Sequence, residues 1–265
     1  MYTLLTLAQK YLYYHATASN GRGHGIHSPF VFNFIRSILN DKKRYPAYAI
    51  IEKLRRQLLN DATVLTVQDL GAGSGTGKSS QRSMTSIAKH AVKPAKYGQL
   101  LYRIVQYFQP ETILELGTSL GITTSYLSLA KPDATVITLE GSPAIAAAAR
   151  HNFRALNCTN IKLVEGDFNH TLPALVNGLP SIDLAFIDGN HRQQPTIDYF
   201  NSILSRTNQF SIVILDDIHW SAEMEQAWIT IKNHPSVKCS VDLFFIGIIF
   251  FRDDFKEQQH FTVRF

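Results

Sequence analysis

The feature of this sequence that most constrains its fold is a regular alternation of apolar runs and amphipathic segments from Tyr97 to about residue 233. Each apolar run has the length of a β-strand, and each segment between two runs carries apolar residues at helical spacing. Predicted helices cover about 97–108, 121–131, 142–157, 169–178, 194–206 and 220–233, and predicted strands end at about 115, 140, 165, 187 and 216. This alternation predicts an α/β fold with a doubly wound parallel sheet that helices cover on both faces.

The alternation ends after Lys238. Residues 238–252 contain two apolar runs that are separated near Gly247, so two strands follow each other without a helix between them. One of these two strands is therefore predicted to lie antiparallel to its neighbour. Together with the five strands before them, they predict a seven-strand, mostly parallel sheet.

The first 95 residues follow a different pattern, with helical periodicity over about 3–15, 31–40 and 46–60. Residues 1–100 contain 14 basic and 4 acidic side chains (+10), whereas residues 101–265 contain 12 and 17 (−5). We therefore expect a basic, mainly helical N-terminal extension over 1–95 and a separate domain over 96–265. The extension suits contact with RNA phosphates, an acidic substrate or an anionic membrane surface, and the alternative is a solvated basic surface.

Composition also indicates the compartment. The only two cysteines, Cys158 and Cys239, are too few for a disulfide scaffold and lack the spacing of a zinc site, so we expect a reducing cytoplasm. The first ten residues lack the basic start and sustained apolar core of a signal peptide. No run approaches the roughly 18 apolar residues that a membrane span needs, so we expect no transmembrane segment.

A glycine-rich loop over residues 71–80 resembles a phosphate-binding loop, with Ala72 in place of the first glycine. In that interpretation backbone N–H groups bind phosphates, Lys78 neutralises charge and Ser79 holds magnesium, which would make the protein a nucleotide hydrolase built on Gly77, Lys78 and Ser79. The alternative is a surface loop, because no parallel strand follows until about residue 113.

The turn over residues 117–121 fits the G-x-S-x-G pattern of a hydrolase nucleophile elbow, with Asp188 or Asp216 and then His219 later in the chain. Such an elbow normally follows several strands of the sheet. Only the strand-like run at 64–70 precedes this one, which disfavours a hydrolase.

The same turn also fits a nucleotide-binding turn at the end of the first strand of the alternating region. Gly117 lets the backbone approach a ligand, and Gly121, where the following helix begins, is expected to pack closely on the sheet. Glu140 ends the next strand, 25 residues after Glu115, where a carboxylate can accept hydrogen bonds from ribose hydroxyls. Ser119 replaces the middle glycine that a pyrophosphate requires, so a cofactor without phosphates fits better.

These residues, with 165–168, 182–191 and 214–217, resemble the class I S-adenosylmethionine-dependent methyltransferases, and most closely the catechol-type O-methyltransferases. The resemblance covers about residues 96–252 and implies a Rossmann-like methyltransferase fold with S-adenosylmethionine as cofactor. It places Glu140 on the ribose, and Asp167 with Phe168 on the adenine. The cofactor-binding positions that the resemblance implies are Tyr97, Gly98, Glu115, Gly117, Ser119, Gly121, Glu140, Asp167, Phe168 and Asp188.

Three carboxylates follow two strands that are predicted to be parallel. Asp188 ends one strand, and Asp216 and Asp217 end the next along the chain, so they share the carboxyl edge where such sheets bind ligands. They form a candidate site for Mg²⁺ or another divalent cation. The catechol-type pattern has Asp, Asp and Asn here, so Asp217 adds negative charge. The alternative is that Asp217 caps the next helix and Asp188 only shapes its loop.

The resemblance also indicates how a methyl acceptor loses its proton. Catechol-type enzymes have a lysine three positions after the first aspartate, where this chain has His191, which suits a general base together with Asp188. His219 is a weaker candidate. We expect O-methylation of a small hydroxylated molecule, with wobble-uridine methylation of tRNA as the alternative and a non-catalytic cofactor-binding protein as a further one. The N-terminal extension is expected to cover the active site or to pair two subunits as a homodimer.

Overall fold

A computed structural model describes residues 1–67, 81–90 and 93–265. Its helices are α1 (Leu4–Thr17), α2 (Pro29–Phe34, continued by the π-helical turn Ile35–Leu39), α3 (Pro46–Leu59), α4 (Met84–His90), α5 (Ala95–Phe108), α6 (Ile122–Ala130), α7 (Pro143–Ala155), α8 (Phe168–Asn177), α9 (Gln193–Leu204) and α10 (Ala222–Lys232). Its strands are β1 (Val64–Thr66), β2 (Gln81–Ser83), β3 (Thr112–Leu116), β4 (Thr135–Glu140), β5 (Ile161–Glu165), β6 (Leu184–Ile187), β7 (Ile212–Asp216), β8 (Cys239–Asp242), β9 (Ile246–Phe250) and β10 (Gln259–Thr262).

The predicted alternation is present from α5 to α10, and the α/β class with a large, mostly parallel sheet is confirmed. That sheet has eight strands where seven were predicted, because β10 was not foreseen. The phosphate-binding-loop pattern at Gly77, Lys78 and Ser79 lies outside the described residues. No helix within the described ranges has the length and apolarity that a bilayer span requires.

The chain forms two compact units, Lys42–Gly178 and Met1–Asp41 with Leu179–Phe265. In the unit over Lys42–Gly178, β3, β4 and β5 are parallel, and Glu140 of β4 is in register with Glu165 of β5. Helices α5 and α6 pack closely because Gly98 has no side chain: a Cβ there would lie 2.4 Å from Cδ2 of Tyr126. Strands β1 and β2 form a separate antiparallel pair.

In the other unit, β6 and β7 are parallel, and β9 lies antiparallel to both β7 and β8. The prediction of an antiparallel strand after Lys238 is therefore confirmed. Strand β10 pairs in parallel with β8. Gly247 of β9 accommodates the ring of Trp228, since a Cβ at this glycine would lie 2.6 Å from Cζ3 of that tryptophan.

Candidate functional site

The turn after β3 has a backbone that favours glycine. Gly117 has φ 104°, Ser119 has φ 48° and Gly121 has φ 77°, all in the left-handed region. The N–H groups of Gly117 and Thr118 donate to the carbonyl of Leu139 at 3.0 and 3.1 Å, which fixes the turn beside β4. Gly121 was predicted to pack closely on the sheet, but its close contact is with α7, because a Cβ at Gly121 would meet the ring of Phe153.

Glu140 connects this turn to the start of α7. Its Oε2 accepts from the backbone N–H of Ser119 at 2.9 Å, and its Oε1 accepts from that of Ser142 at 3.0 Å. Hydrogen bonds from backbone N–H groups to a carboxylate are charge-assisted and hold it in one orientation. The structure therefore brings together Ser119 and Glu140, two of the predicted cofactor positions.

Glu115 is fully buried at the end of β3. Its Oε2 accepts from the hydroxyls of Thr124 and Thr138 at 2.5 and 2.6 Å. Burial is the main cause that raises the pKa of Glu115 to about 7; the negative charge of Glu140 adds to it, and the hydrogen bonds from the two threonine hydroxyls act in the opposite direction. The carboxyl group of Glu115 thus changes charge near neutral pH.

Three buried polar atoms of this region have no hydrogen-bond partner among the described residues: Oε1 of Glu115, Oγ of Ser119 and Oγ of Ser142. Buried polar atoms are nearly always hydrogen-bonded, so unpaired ones indicate a place for a polar ligand. In the part of the chain that the structure describes, Ser119 Oγ therefore has no histidine partner of the kind that a hydrolase nucleophile requires.

The other predicted cofactor positions in this unit have local structural roles. Asp167 is the N-cap of α8, where its Oδ1 accepts from the N–H of Asn169 at 2.9 Å, and Phe168 is the first residue of that helix. Tyr97 is buried on α5. Gly98 makes the close contact with Tyr126 that is described above.

Sequence reasoning missed the two threonines that hold Glu115. A signal for one of them was present: Thr138 is in register with Glu115 on the neighbouring strand and lies two residues before Glu140, so the alternation of side chains places it on the same face. Thr124 is supplied by α6, and no spacing rule links a helix residue to a particular strand residue in advance.

In the unit that includes residues 179–265, Asp188 and His191 follow β6 and lie close together. His191 Nε2 is 3.5 Å from Asp188 Oδ1, and its ring centre is 5.5 Å from that of Trp220. Asn190 and His191 have φ values of 67° and 40°, so two consecutive residues adopt the left-handed conformation. Such backbone is costly for residues other than glycine and tends to occur at functional sites.

Asp216 is buried at the end of β7, and Asp217 follows it with φ 54°. In the described parts of the chain, no three His, Cys, Asp or Glu side chains form a group that could hold a metal ion. The structure therefore does not gather Asp188, Asp216 and Asp217 into a metal site. Asp217 is not a helix cap either, because the N-cap of α10 is Ser221, whose Oγ accepts from the N–H of Met224 at 3.2 Å.

His219 has carboxylate partners on both ring nitrogens. Nδ1 is 3.0 Å from Oε1 of Glu225, and Nε2 is 2.8 Å from Oδ2 of Asp242. Burial lowers the pKa of His219, but the two carboxylates outweigh burial and the pKa is raised. Neither nitrogen is open to a substrate proton, which disfavours His219 as a general base and as the histidine of a hydrolase triad.

Comparison with solved structures identifies the class of fold. The SAH-bound methyltransferase PaMTH1 of Podospora anserina is similar over 96% of this chain and 98% of its own, at 15% identity and a TM-score of 0.58. An O-methyltransferase of Bacillus cereus in complex with SAH is similar over 83% of this chain and 97% of its own, at 20% identity and a TM-score of 0.55. The fold is that of the Rossmann-like, class I methyltransferases.

Sequence comparison then identifies the domain. Residues 114–218 match the family model of a methyltransferase domain. A catechol O-methyltransferase of Niastella koreensis is 32% identical over 124 residues, 46% of this chain and 55% of the relative. Catechol O-methyltransferase B of Danio rerio is 35% identical over 95 residues, 34% of this chain and 36% of the relative. The chain thus spans about half or less of the relatives it matches, and its predicted resemblance to the S-adenosylmethionine-dependent O-methyltransferases is confirmed.

Proposed function

We propose that this protein is an S-adenosylmethionine-dependent methyltransferase that transfers the methyl group to a hydroxyl oxygen of a small molecule. The observation that carries the proposal is the contact between Glu140 and the turn after β3, where Ser119 N–H donates to Glu140 Oε2 at 2.9 Å. Both residues lie within the matched methyltransferase domain, and the carboxyl ends of parallel strands are where α/β sheets usually bind ligands.

The residues of this turn fit such a cofactor. Gly117 has a positive φ and no side chain, so a ligand can approach its backbone closely. Glu115 Oε1 and Ser119 Oγ, which have no partner among the described residues, can bond to polar groups of that ligand. Glu140 would bind the ribose hydroxyls. When bound, the cofactor supplies a methyl group that is already activated on a sulfonium. The residues that would hold it are Tyr97, Gly98, Glu115, Gly117, Ser119, Gly121, Glu140, Asp167, Phe168 and Asp188.

His191 would remove the proton from the acceptor hydroxyl. Its Nε2 faces Asp188 at 3.5 Å, which leaves Nδ1 to accept the proton and Asp188 to stabilise the resulting imidazolium. The ring of Trp220, 5.5 Å from the His191 ring, limits the orientations of the imidazole. The described residues do not gather the ligands for a metal ion, so we assign activation of the hydroxyl to His191.

Binding measurements test the cofactor part of the proposal. Calorimetry with S-adenosylhomocysteine should show binding to the wild type and at least about tenfold weaker binding to the Glu140→Gln variant, a loss of about 1.4 kcal/mol. The Glu165→Gln variant is the matched control, because Glu165 ends the neighbouring strand in register with Glu140. Tight ATP binding that is lost in the Lys78→Ala variant, without any S-adenosylhomocysteine binding, would overturn the proposal in favour of a nucleotide hydrolase.

Transfer of a labelled methyl group tests the reaction. A panel of phenols and catechols and a bulk tRNA preparation should be offered separately to the wild type and to the His191→Gln variant. Label in the small molecules that depends on His191 is the expected result. If only tRNA is labelled, and if neutralising Lys42, Lys43 and Arg44 reduces that label, the methyl acceptor is RNA and not a small molecule. If the protein binds the cofactor but transfers no methyl group to either class of acceptor, it is a non-catalytic cofactor-binding protein.

A further inference from the structure

Glu52 of α3 connects three elements of the unit over Lys42–Gly178. Its Oε1 accepts from the hydroxyl of Tyr126 on α6 at 2.8 Å and from Nε of Arg55 at 2.9 Å. Arg55 in turn donates through Nη1 to the carbonyl of Lys93, just before α5 begins. One partly buried carboxylate therefore connects α3 to α6 and, through Arg55, to the segment that leads into α5.

The hydroxyl of Tyr126 needs an acceptor such as Glu52. The side chain of Tyr126 is fully buried. Burial and the carboxylate of Glu52 raise the pKa of Tyr126 above its usual range, so the phenol keeps its proton and donates it to the hydrogen bond. A buried hydroxyl that lost its acceptor would cost free energy, and the ring would shift to find another one. Glu52 therefore fixes the orientation of the Tyr126 ring.

The Tyr126 ring holds the first turn of α5. It lies directly against Gly98, where an added Cβ would collide with it. The ring of Tyr48 on α3 packs beside it, with 5.9 Å between the ring centres, and the Tyr48 hydroxyl donates to the carbonyl of Gln99 at 3.3 Å. Gly98 and the preceding Tyr97 are among the residues that would hold the cofactor. A shift of the Tyr126 ring would therefore displace backbone at the proposed cofactor site.

The same ring also anchors the helix that holds Glu115. Thr124 lies on α6 two residues before Tyr126 and donates to Glu115 Oε2 at 2.5 Å. Because a helix moves as a rigid element in a closely packed interior, a shift of Tyr126 would be transmitted to Thr124. The orientation of Tyr126 thus affects two parts of the proposed cofactor site, the first turn of α5 and the carboxyl group of Glu115.

We propose that Glu52 is a positioning residue for cofactor binding, and that its hydrogen bond to Tyr126 holds Gly98 and Glu115 where S-adenosylmethionine binds. This inference rests on the proposed function. Glu52 acts through Tyr126 and not by contact with the cofactor. It gives α3, a part of the predicted N-terminal extension, a role in forming the cofactor site.

Calorimetry with S-adenosylhomocysteine provides the first test. Tyr126→Phe removes one oxygen and keeps the ring against Gly98, and it should bind about fivefold more weakly than the wild type. Glu52→Ala should weaken binding by a similar factor. Glu52→Gln keeps an oxygen that can accept from Tyr126, so it should bind within about twofold of the wild type. Thermal melting of each variant checks that it is folded at the temperature of the assay.

Tyr102→Phe is the matched control. Tyr102 lies on α5, is also buried, and its ring also contacts that of Tyr48, with 5.2 Å between the ring centres. Loss of its hydroxyl should leave S-adenosylhomocysteine binding unchanged.

A double variant and steady-state kinetics test the route of the effect. If Glu52 acts through Tyr126, the chain with both Glu52→Ala and Tyr126→Phe should bind no more weakly than the weaker single variant. In Tyr126→Phe, KM for S-adenosylmethionine should rise about fivefold with kcat nearly unchanged, because the hydrogen bond positions the cofactor and takes no part in proton removal. A merely structural role would lower the melting temperature and leave both the affinity and KM unchanged.

Failure of this inference can be distinguished from failure of the proposed function. If Glu140→Gln weakens S-adenosylhomocysteine binding but Tyr126→Phe does not, only the role of Glu52 is overturned. Losses that add up in the double variant would also overturn it, because the two residues would then act independently. A wild type that does not bind S-adenosylhomocysteine would overturn the proposed function and this inference with it. Tyr126→Phe is conservative, so it decides the question even if Glu52→Ala does not fold.

Discussion

His219 Nε2 lies 2.8 Å from Asp242 Oδ2, so this contact links the loop after β7 to the end of β8. Glu225 holds the other ring nitrogen of His219 and also accepts from Tyr2 and Lys10. Residues far apart in the chain thus meet around one imidazole. The protonation of that imidazole controls how strongly the cluster holds together.

The first prediction concerns pH and this cluster. Burial lowers the pKa of His219, yet its carboxylate partners raise it above the usual 6.5, so the folded state binds the proton more tightly than the unfolded chain. The stabilisation is complete below pH 6.5 and is lost as the pH rises through the folded pKa. His219→Gln should lower the free energy of unfolding by about 1–2 kcal/mol at about pH 6 and by less at about pH 9.

Urea denaturation at both pH values measures this difference. The His27→Gln variant, which changes an exposed histidine of the same unit, should leave the free energy of unfolding unchanged. An equal loss for His219→Gln at both pH values would contradict the prediction.

The second prediction concerns Glu115. Its pKa of about 7 lies above the unfolded value of 4.5, so it destabilises the fold increasingly as the pH rises through that interval. Glu115→Gln keeps an oxygen for Thr124 and Thr138 and removes the buried charge. It should therefore raise the free energy of unfolding by about 1–2 kcal/mol at about pH 8 and have little effect at about pH 4.5. Melting temperatures across this range measure the effect, and stabilisation that does not depend on pH would contradict it.

The third prediction separates steric contact from backbone strain. Gly121 and Gly25 have similar φ values of 77° and 82°. A Cβ added at Gly121 would collide with Phe153, whereas a Cβ added at Gly25 would have no atom within 4 Å. Gly25→Ala should cost about 1 kcal/mol from strain alone. Gly121→Ala should cost about 2 kcal/mol more, because the core must move. It should also weaken S-adenosylhomocysteine binding, and equal losses of stability would contradict the steric explanation.

The fourth prediction compares proton removal by His191 with activation by a metal. If His191 is the base, turnover continues in EDTA, and His191→Gln lowers kcat by about 10²-fold or more. If Asp188, Asp216 and Asp217 hold magnesium that activates the hydroxyl, EDTA abolishes turnover and Mg²⁺ restores it. In that case Asp217→Asn should change the magnesium concentration required. Turnover assays with and without EDTA distinguish the two.

The sequence was sufficient to predict most of the fold, because buried parallel strands and amphipathic helices have distinct periods. It did not predict β10, whose residues Gln259–Thr262 are largely exposed at the sheet edge and so have no apolar pattern. The motif at 182–191 was enough to name Asp188 and His191 as candidates, whereas their 3.5 Å contact is known only from the structure. The cluster around His219 could not be predicted, because Asp242 and Lys10 reach it only through tertiary folding. The predicted boundary at residue 95, the cytoplasmic location and the RNA contact stay predictions.

The division of the chain also affects how it folds during synthesis. Residues 42–178 form a compact unit from one continuous segment, whereas residues 1–41 belong with residues 179–265. During synthesis α1 emerges well before its partners Glu225, Phe244 and Val263, which follow more than 200 residues later. Closing so long a loop is entropically costly and slow. Helix α1 therefore reaches its final place only after the residues that hold it, near the other end of this sequence, have been made.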